Sequence, residues 1–219
     1  MQISSAALNF IRINVTGKIT NLKELYNALI RGDESMIHVR ICDGSFEQII
    51  AGMKLTDGCS QGKKVHLEGD VARHTAKVVS NLVKVSSEDS AVQFDEIDLL
   101  ASLMHDVEKA TTRKEDEDGN VRFPEHEEKA ANRVSQVAKV LGLNNEQEQK
   151  LYFLVKEHGN AHSLATVDEE LQKQLVSSKY WRNLRLLQKA DALSCYLNSD
   201  GSEHLVVHWN LFDELRRKL

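Results

Sequence analysis

The 219-residue chain sets 28 Lys and Arg against 33 Asp and Glu, for a net charge of -5, and 41% of it is hydrophobic with only 5% aromatic. That length suits one domain, or one domain with a small appendage, and the apolar share is enough for a core of Leu, Val, Ala and Ile. The acidic balance leaves no electrostatic footprint for duplex DNA, and no apolar run is long enough to span a bilayer.

The N-terminus lacks the basic-then-apolar layout of a signal peptide. Cys42, Cys59 and Cys195 form no CxxC pair, so neither a disulfide framework nor a thiolate zinc site is suggested. A reduced, cytoplasmic compartment with no membrane partner is expected. One proline, Pro124, and 11 glycines punctuate the chain poorly, which favours helices over a sandwich of short strands.

In chain order, residues 1–62 form an N-terminal segment. Ile11, Ile13 and Val15 alternate with polar residues, as do Ile37, Val39 and Ile41. Both stretches read as short strands or frayed helices, with a helix near Leu22 to Ile30 between them. The Gly-, Ser- and Lys-rich run Asp57 to Lys64 reads as a linker.

Residues 63–200 then turn helical. Val71, Val78, Leu82 and Val85 make one apolar stripe, with Asp70 placed as its N-cap. Ile97, Leu99, Leu100, Leu103 and Met104 mark the next helix, and Thr111 to Phe123 is a charged loop. Ala130, Val134, Val137 and Leu141 mark a third helix, and Leu151, Leu154 and Val155 a fourth. Leu184, Leu187 and Leu193 mark another. The tail, 201–219, is an amphipathic helix with Leu205, Trp209, Phe212 and Leu215 on one face.

The informative residues are the polar ones on these stripes. His74 lies between Val71 and Val78, Asp106 continues Leu99 and Leu103, and His126 begins the run of Ala130 and Val134. His158 follows Leu151 and Leu154, Asp191 follows Leu184 and Leu187, and His105 precedes Asp106. A single inward His is more often a satisfied core residue, and a single inward Asp a cap or the partner of a base. Six such residues on five separate helices fit that reading poorly, because a buried carboxylate loses hydration without compensation. The bundle must pair them with one another or give them a metal. Imidazole and carboxylate together suit iron, manganese, nickel, cobalt or zinc, with magnesium a further candidate.

The order His74, His105-Asp106, Asp191 resembles the H…HD…D signature of the HD superfamily of metal-dependent phosphohydrolases. Glu68-Gly69-Asp70 followed by His74-Thr75 is similar to a segment of the HD region of bacterial tRNA nucleotidyltransferases. LLASLMHDVEK (Leu99 to Lys109), FPEHEEKAA (Phe123 to Ala131), LVKEHGN (Leu154 to Asn160) and LRLLQKADA (Leu184 to Ala192) resemble that family's other motif helices. The resemblance spans about 63–200. Glu108 stands where the family usually has glycine, no nucleotidyltransferase domain is read, and the first 60 residues resemble no named family.

The resemblance implies an all-α HD-domain helical bundle, with short strands open to the N-terminal segment. It implies a divalent metal ion held by His74, His105, Asp106 and Asp191. His126 and His158 would hold a second ion or face the substrate, and one ion, or one with a weak second, is the expectation. The activity implied is hydrolysis of a phosphate mono- or diester, of a nucleotide or related small molecule, by a metal-activated water. Asp106, Lys109, His126 and His158 are the catalytic candidates. Lys109 would steady the phosphate if the helix continues past Asp106, unless Glu108 neutralises it. Arg73, Arg113 and Lys129 are weaker candidates for that contact, and solvated surface is the commoner fate of such side chains.

A di-iron oxygenase and a non-catalytic metal-stabilised module that binds a nucleotide or a partner protein are the competing readings. His162 is a stand-in for His158. His204 and His208 read as a surface pair, His38 and His66 as incidental, and Asp116-Glu117-Asp118 as solvated loop.

Overall fold

The structure is a computed structural model that describes residues 19–62, 68–195 and 202–218, with side chains of the last stretch from 210 onward. It is an all-α bundle whose one sheet among the described residues is a two-stranded hairpin.

Two helices open it, α1 (Leu22–Leu29) and α2 (Glu34–Cys42). Of the strand and helix readings left open for Ile37, Val39 and Ile41, the helix holds and the strand does not. Ile37 and Ile41 are fully buried four residues apart, while Val39 is 46% exposed, which is the spacing of a helix face. Asp33 caps the helix by accepting the Met36 N–H. The matching stretch Ile11 to Val15 lies outside the described residues. After a 3-10 turn, Met53–Thr56, the chain stays close to the bundle: Ser60 bridges Asp70, and the Gly58 N–H donates to Asp70. Leu25, Leu29, Ile37, Phe46 and Met53 share one apolar core with Val78, Leu82 and Leu103.

Next come α3 (Val71–Val85), capped by Asp70, and α4 (Glu96–Met104), opened by an Asp95/Asp98 capping box. The helix ends at His105, and α5 (Lys109–Thr112) is a separate turn. The charged loop contains the hairpin β1 (Lys114–Glu115) and β2 (Val121–Arg122). At its tip Asp116 accepts N–H bonds from Asp118 and Asn120.

The third expected helix is two, α6 (His126–Ala131) and α7 (Val134–Leu141). At the break, Arg133 reaches the Glu108 carboxylate and the Ala51 carbonyl. Beyond it lie α8 (Asn145–His162), α9 (Glu169–Ser177), α10 (Trp181–Ala192) and α11 (Ser202–Arg217). The pattern gave no sign of α9, where only Leu175 and Val176 are buried. Leu193, expected on the inner stripe of α10, caps that helix and is 45% exposed. In the tail helix, Phe212 is buried as expected.

In the packing, α3 lies against α2, α4 and α10, and α8 against α4, α6 and α10. One carboxylate ties three of these helices together. Asp98, buried on α4, accepts from Lys150 Nζ of α8 at 2.8 Å, from Asn183 Nδ2 of α10 at 2.8 Å, and from the Asp95 N–H. Asp98→Ala would leave the buried Lys150 ammonium with only Asp95 and the Gln93 carbonyl. We expect it to lower unfolding stability by about 3–5 kcal/mol, read as a shifted denaturant midpoint with unchanged slope.

Candidate metal centre

Helix ends bring the six candidate ligands to one place. His74 sits in the first turn of α3, and His105 and Asp106 in the turn that ends α4. His126 opens α6, His158 lies in the last turns of α8, and Asp191 lies near the end of α10. The break after Met104 allows adjacent His105 and Asp106 to face one another, with His105 Nε2 3.1 Å from Asp106 Oδ2.

The two oxygens of Asp106 face different groups. Oδ2 lies 3.5 Å from His74 Nε2 and 3.1 Å from His105 Nε2, while Oδ1 lies 3.2 Å from His126 Nε2 and 3.6 Å from His158 Nε2. Asp191 Oδ1 is 2.9 Å from His74 Nε2, and its Oδ2 is 3.9 Å from His105 Nε2. Two sets of ligand atoms result, His74–His105–Asp191 and Asp106–His126–His158, each with its atoms within 4.8 Å of one another.

The other ring nitrogens set the tautomers. His105 Nδ1 is 2.8 Å from the Ser102 carbonyl, His126 Nδ1 2.8 Å from the Phe123 carbonyl, and His158 Nδ1 2.7 Å from the Val155 carbonyl. A carbonyl only accepts, so these Nδ1 atoms donate, and a neutral ring then turns its Nε2 lone pair toward the centre. His74 Nδ1 meets the Glu68 carboxylate at 3.0 Å, the carboxylate–histidine arrangement typical behind metal ligands. Glu125, before His126, has a left-handed φ of 60°, rare without a glycine, and that turn brings the His126 ring back to Phe123.

His105 Nε2 and both Asp106 oxygens are buried without a hydrogen-bond partner. Lone pairs aimed at carboxylate oxygens repel, and a divalent cation between them removes the repulsion. The donor set thus fits a metal of the kind imidazole and carboxylate share.

Where no cation intervenes, protons do that work. Burial drives His74 down, but hydrogen bonds to Asp191 and Glu68 push it up to about 9. Burial likewise lowers His126, and Asp106 and Glu127 push it up to about 9. Burial wins at His158, which is lowered. For Asp106, burial opposes ionisation, yet His105 and Lys109 hold its carboxyl well below the ordinary range. For Asp191, burial is likewise overcome, chiefly by His162 and then His74.

Lys109 is not placed by a continued helix, as the sequence suggested. Its ammonium sits 2.8 Å from Asp106 Oδ2, donates to Gln61 Oε1 at 2.9 Å, and lies 5.3 Å from the Phe123 ring centre. Glu108 does not neutralise it, being bound to Arg133 and Thr111. Arg73 and Lys129 are exposed, and exposed Arg113 is tied to Ser60 and Glu115.

His162 does not replace His158; its Nε2 donates to Asp191 Oδ2 at 2.8 Å. The i,i+4 spacing of the two histidines on α8 could have placed both on the site face. Glu68 stood in the quoted EGD segment, whereas Gln61 carried no signal, since its contact with Lys109 spans 48 residues. The side chains of His66, His204 and His208 lie outside the described residues.

Exposure marks the floor and the rim. His74 and His105 side chains are fully buried, while His126, at 12%, and His162, at 32%, reach solvent.

The sequence model of the HD domain matches residues 71–195, more than half of the chain, and the chain belongs to that family. HD domains bind divalent metals, and the superfamily is in general one of metal-dependent phosphohydrolases. No curated protein matches the chain.

The raised histidines carry a pH signature. Between about pH 6.5 and 9 the folded metal-free protein holds protons on His74 and His126 that the unfolded chain has lost. Their stabilisation is therefore full below pH 6.5 and disappears as pH rises through about 9. Chelated protein should melt at lower temperature across this window, and saturating Mn2+ should suppress the decline. Equal melting of chelated protein at both ends would contradict the proton assignment.

Proposed function

We propose that this member of the HD family is a phosphohydrolase that cleaves a phosphate mono- or diester of a nucleotide or related small molecule. The observation that carries the reading is Asp106, buried with its two oxygens facing separate groups of imidazole nitrogens. His74, His105, Asp106 and Asp191 would hold one divalent ion. His126 and His158, on the other oxygen of Asp106, would hold a second, a fuller role than the sequence favoured. Such an ion, when bound, supplies an acidified water and polarises a phosphoryl oxygen.

The protein's own residues supply placement. Carbonyl bonds to Nδ1 lock the three rings of His105, His126 and His158, and Glu68 orients His74. Lys109 keeps its proton: burial opposes the charge, but Asp106 and Asp191 raise its affinity for the proton. Its ammonium forms an ion pair with Asp106 and donates a hydrogen bond to Gln61. A phosphate oxygen entering from the rim would take a further N–H. His162 and His126, at that rim, are placed to meet the substrate side of the site. No disulfide joins Cys42, Cys59 and Cys195, and the setting proposed for the enzyme is cytoplasmic.

The test is a screen of purified protein, loaded in turn with Mn2+, Fe2+, Co2+, Ni2+, Zn2+ and Mg2+, against nucleotides, cyclic phosphates and simple phosphoesters. Metal content is measured on each sample. Turnover that vanishes with metal in folded Asp106→Ala supports the reading. Bound metal without turnover of any phosphoester would favour a binding module, and oxygen uptake by the iron-loaded form would favour an oxygenase.

Lys109→Ala should keep its metal and lose about ten-fold or more in turnover, as expected for one charged hydrogen bond of roughly 1.5–3 kcal/mol. Glu108→Gly, which breaks the Arg133 tie on the far side, should lower stability while turnover stays within two-fold of wild type. Equal loss of turnover in both would place Lys109 in a structural role only.

A further inference from the structure

A second group of metal-ligand side chains lies outside the HD centre. His38 and Cys42 are four apart on α2, so they share one face of that helix. His38 Nε2 stands 3.5 Å from Cys42 Sγ. Asp57, in the loop after the 3-10 turn, brings a carboxylate oxygen within 4.8 Å of both.

The spacing is that of ligands on a common ion. A tetrahedral zinc with bonds of about 2.3 Å to sulfur and about 2.0 Å to nitrogen separates those two atoms by about 3.5 Å. The surroundings are negative, since Asp43 and Asp70 also act on the Cys42 thiol. Burial first, and then the Asp57 carboxylate, push that thiol up to about 11, so without a cation its proton is retained beside Asp57. His38 and Cys42 are half-buried and Asp57 is exposed, which leaves one side open to water as a fourth ligand.

We propose that His38, Cys42 and Asp57 form a second metal site, for a zinc-class divalent ion, separate from the HD centre. Cysteine sulfur, imidazole and carboxylate are all zinc donors, and the thiol makes the site softer than the His/Asp centre. Its place in the fold gives it a consequence. The ion would clip α2 to the segment 57–62. In that segment the Gly58 N–H holds Asp70, the cap of the helix that carries His74, and Gln61 holds Lys109. Zinc there would order the strap that leads to the HD centre without touching its ligands.

The test uses the full chain with Co2+ as a spectroscopic probe and Zn2+ as competitor. Wild type should show a thiolate-to-cobalt charge-transfer band in the near ultraviolet, displaced by Zn2+. The band should persist in Asp106→Ala, which disables the HD centre, and vanish in Cys42→Ser. It should need about ten-fold more Co2+ or higher in His38→Ala and Asp57→Asn. Zn2+ should also slow alkylation of Cys42, located by peptide mapping, by at least ten-fold, a readout that needs no variant to fold. No band in wild type, a band unchanged in Cys42→Ser, or alkylation indifferent to Zn2+ would each overturn the proposal. The last result would leave His38 and Cys42 as a hydrogen-bonded pair. Failure here leaves the phosphohydrolase reading intact, because the Asp106→Ala arm reports the two sites separately.

Discussion

A carboxylate without water is the constraint around which this bundle is arranged. Asp106 is 1% exposed, and burial of an unpaired charge is among the most expensive arrangements a protein can adopt. The fold answers it with five groups: the imidazoles of His74, His105, His126 and His158, and the ammonium of Lys109. Each comes from a different helix or turn, so the carboxylate is satisfied only when α3, α4, α6 and α8 are all in register.

That requirement explains features that look like defects elsewhere. The helix carrying His105 and Asp106 stops at His105. Had it continued, the two side chains would diverge by about 100° around its axis. Glu125 takes a left-handed backbone before His126, a conformation that costs of order 1 kcal/mol and persists where its surroundings demand it. At the other end of α4, Asp98 takes bonds from Lys150 and Asn183, which fixes α4 against α8 and α10. The same three helices therefore meet twice, once in an ion-pair knot and once at the HD centre. Gly159 serves the centre too. A Cβ there would run into the Glu127 carboxylate, which lies 3.0 Å from the His126 ring.

The site was legible because polar side chains sat where helical periodicity demanded apolar ones. His74 between Val71 and Val78, and Asp191 after Leu184 and Leu187, announced themselves in that way. Local errors had local causes. Ile37, Val39 and Ile41 alternate as a strand does, but the Ile37–Ile41 pair also satisfies a helix, and the Asp33 cap decides between them. The run from Ala130 to Leu141 keeps one apolar stripe across a break, and the break exists for Arg133, whose partners Glu108 and Ala51 are distant in sequence. Periodicity cannot report such partners. Nor could it show that Lys109 meets Gln61, or that Glu108 turns away, since both depend on where the chain returns after many residues.

Charge in the finished site argues for an order of binding. Two carboxylates, Asp106 and Asp191, and one ammonium, Lys109, face the centre, a balance of one negative charge when the histidines are neutral. A phosphate dianion approaching that balance is repelled, and burial strengthens the repulsion by lowering the local dielectric. One divalent cation reverses the sign, and a second makes the centre strongly anion-attracting. Protonated histidines reverse it as well, but they then offer no lone pair to a metal. Only above about pH 9, where His74 and His126 lose their protons, do these groups leave the metal-free centre hostile to phosphate; below it, a metal must first displace those protons. If the proposed phosphohydrolase activity holds, metal before substrate is the order that this arrangement of residues favours.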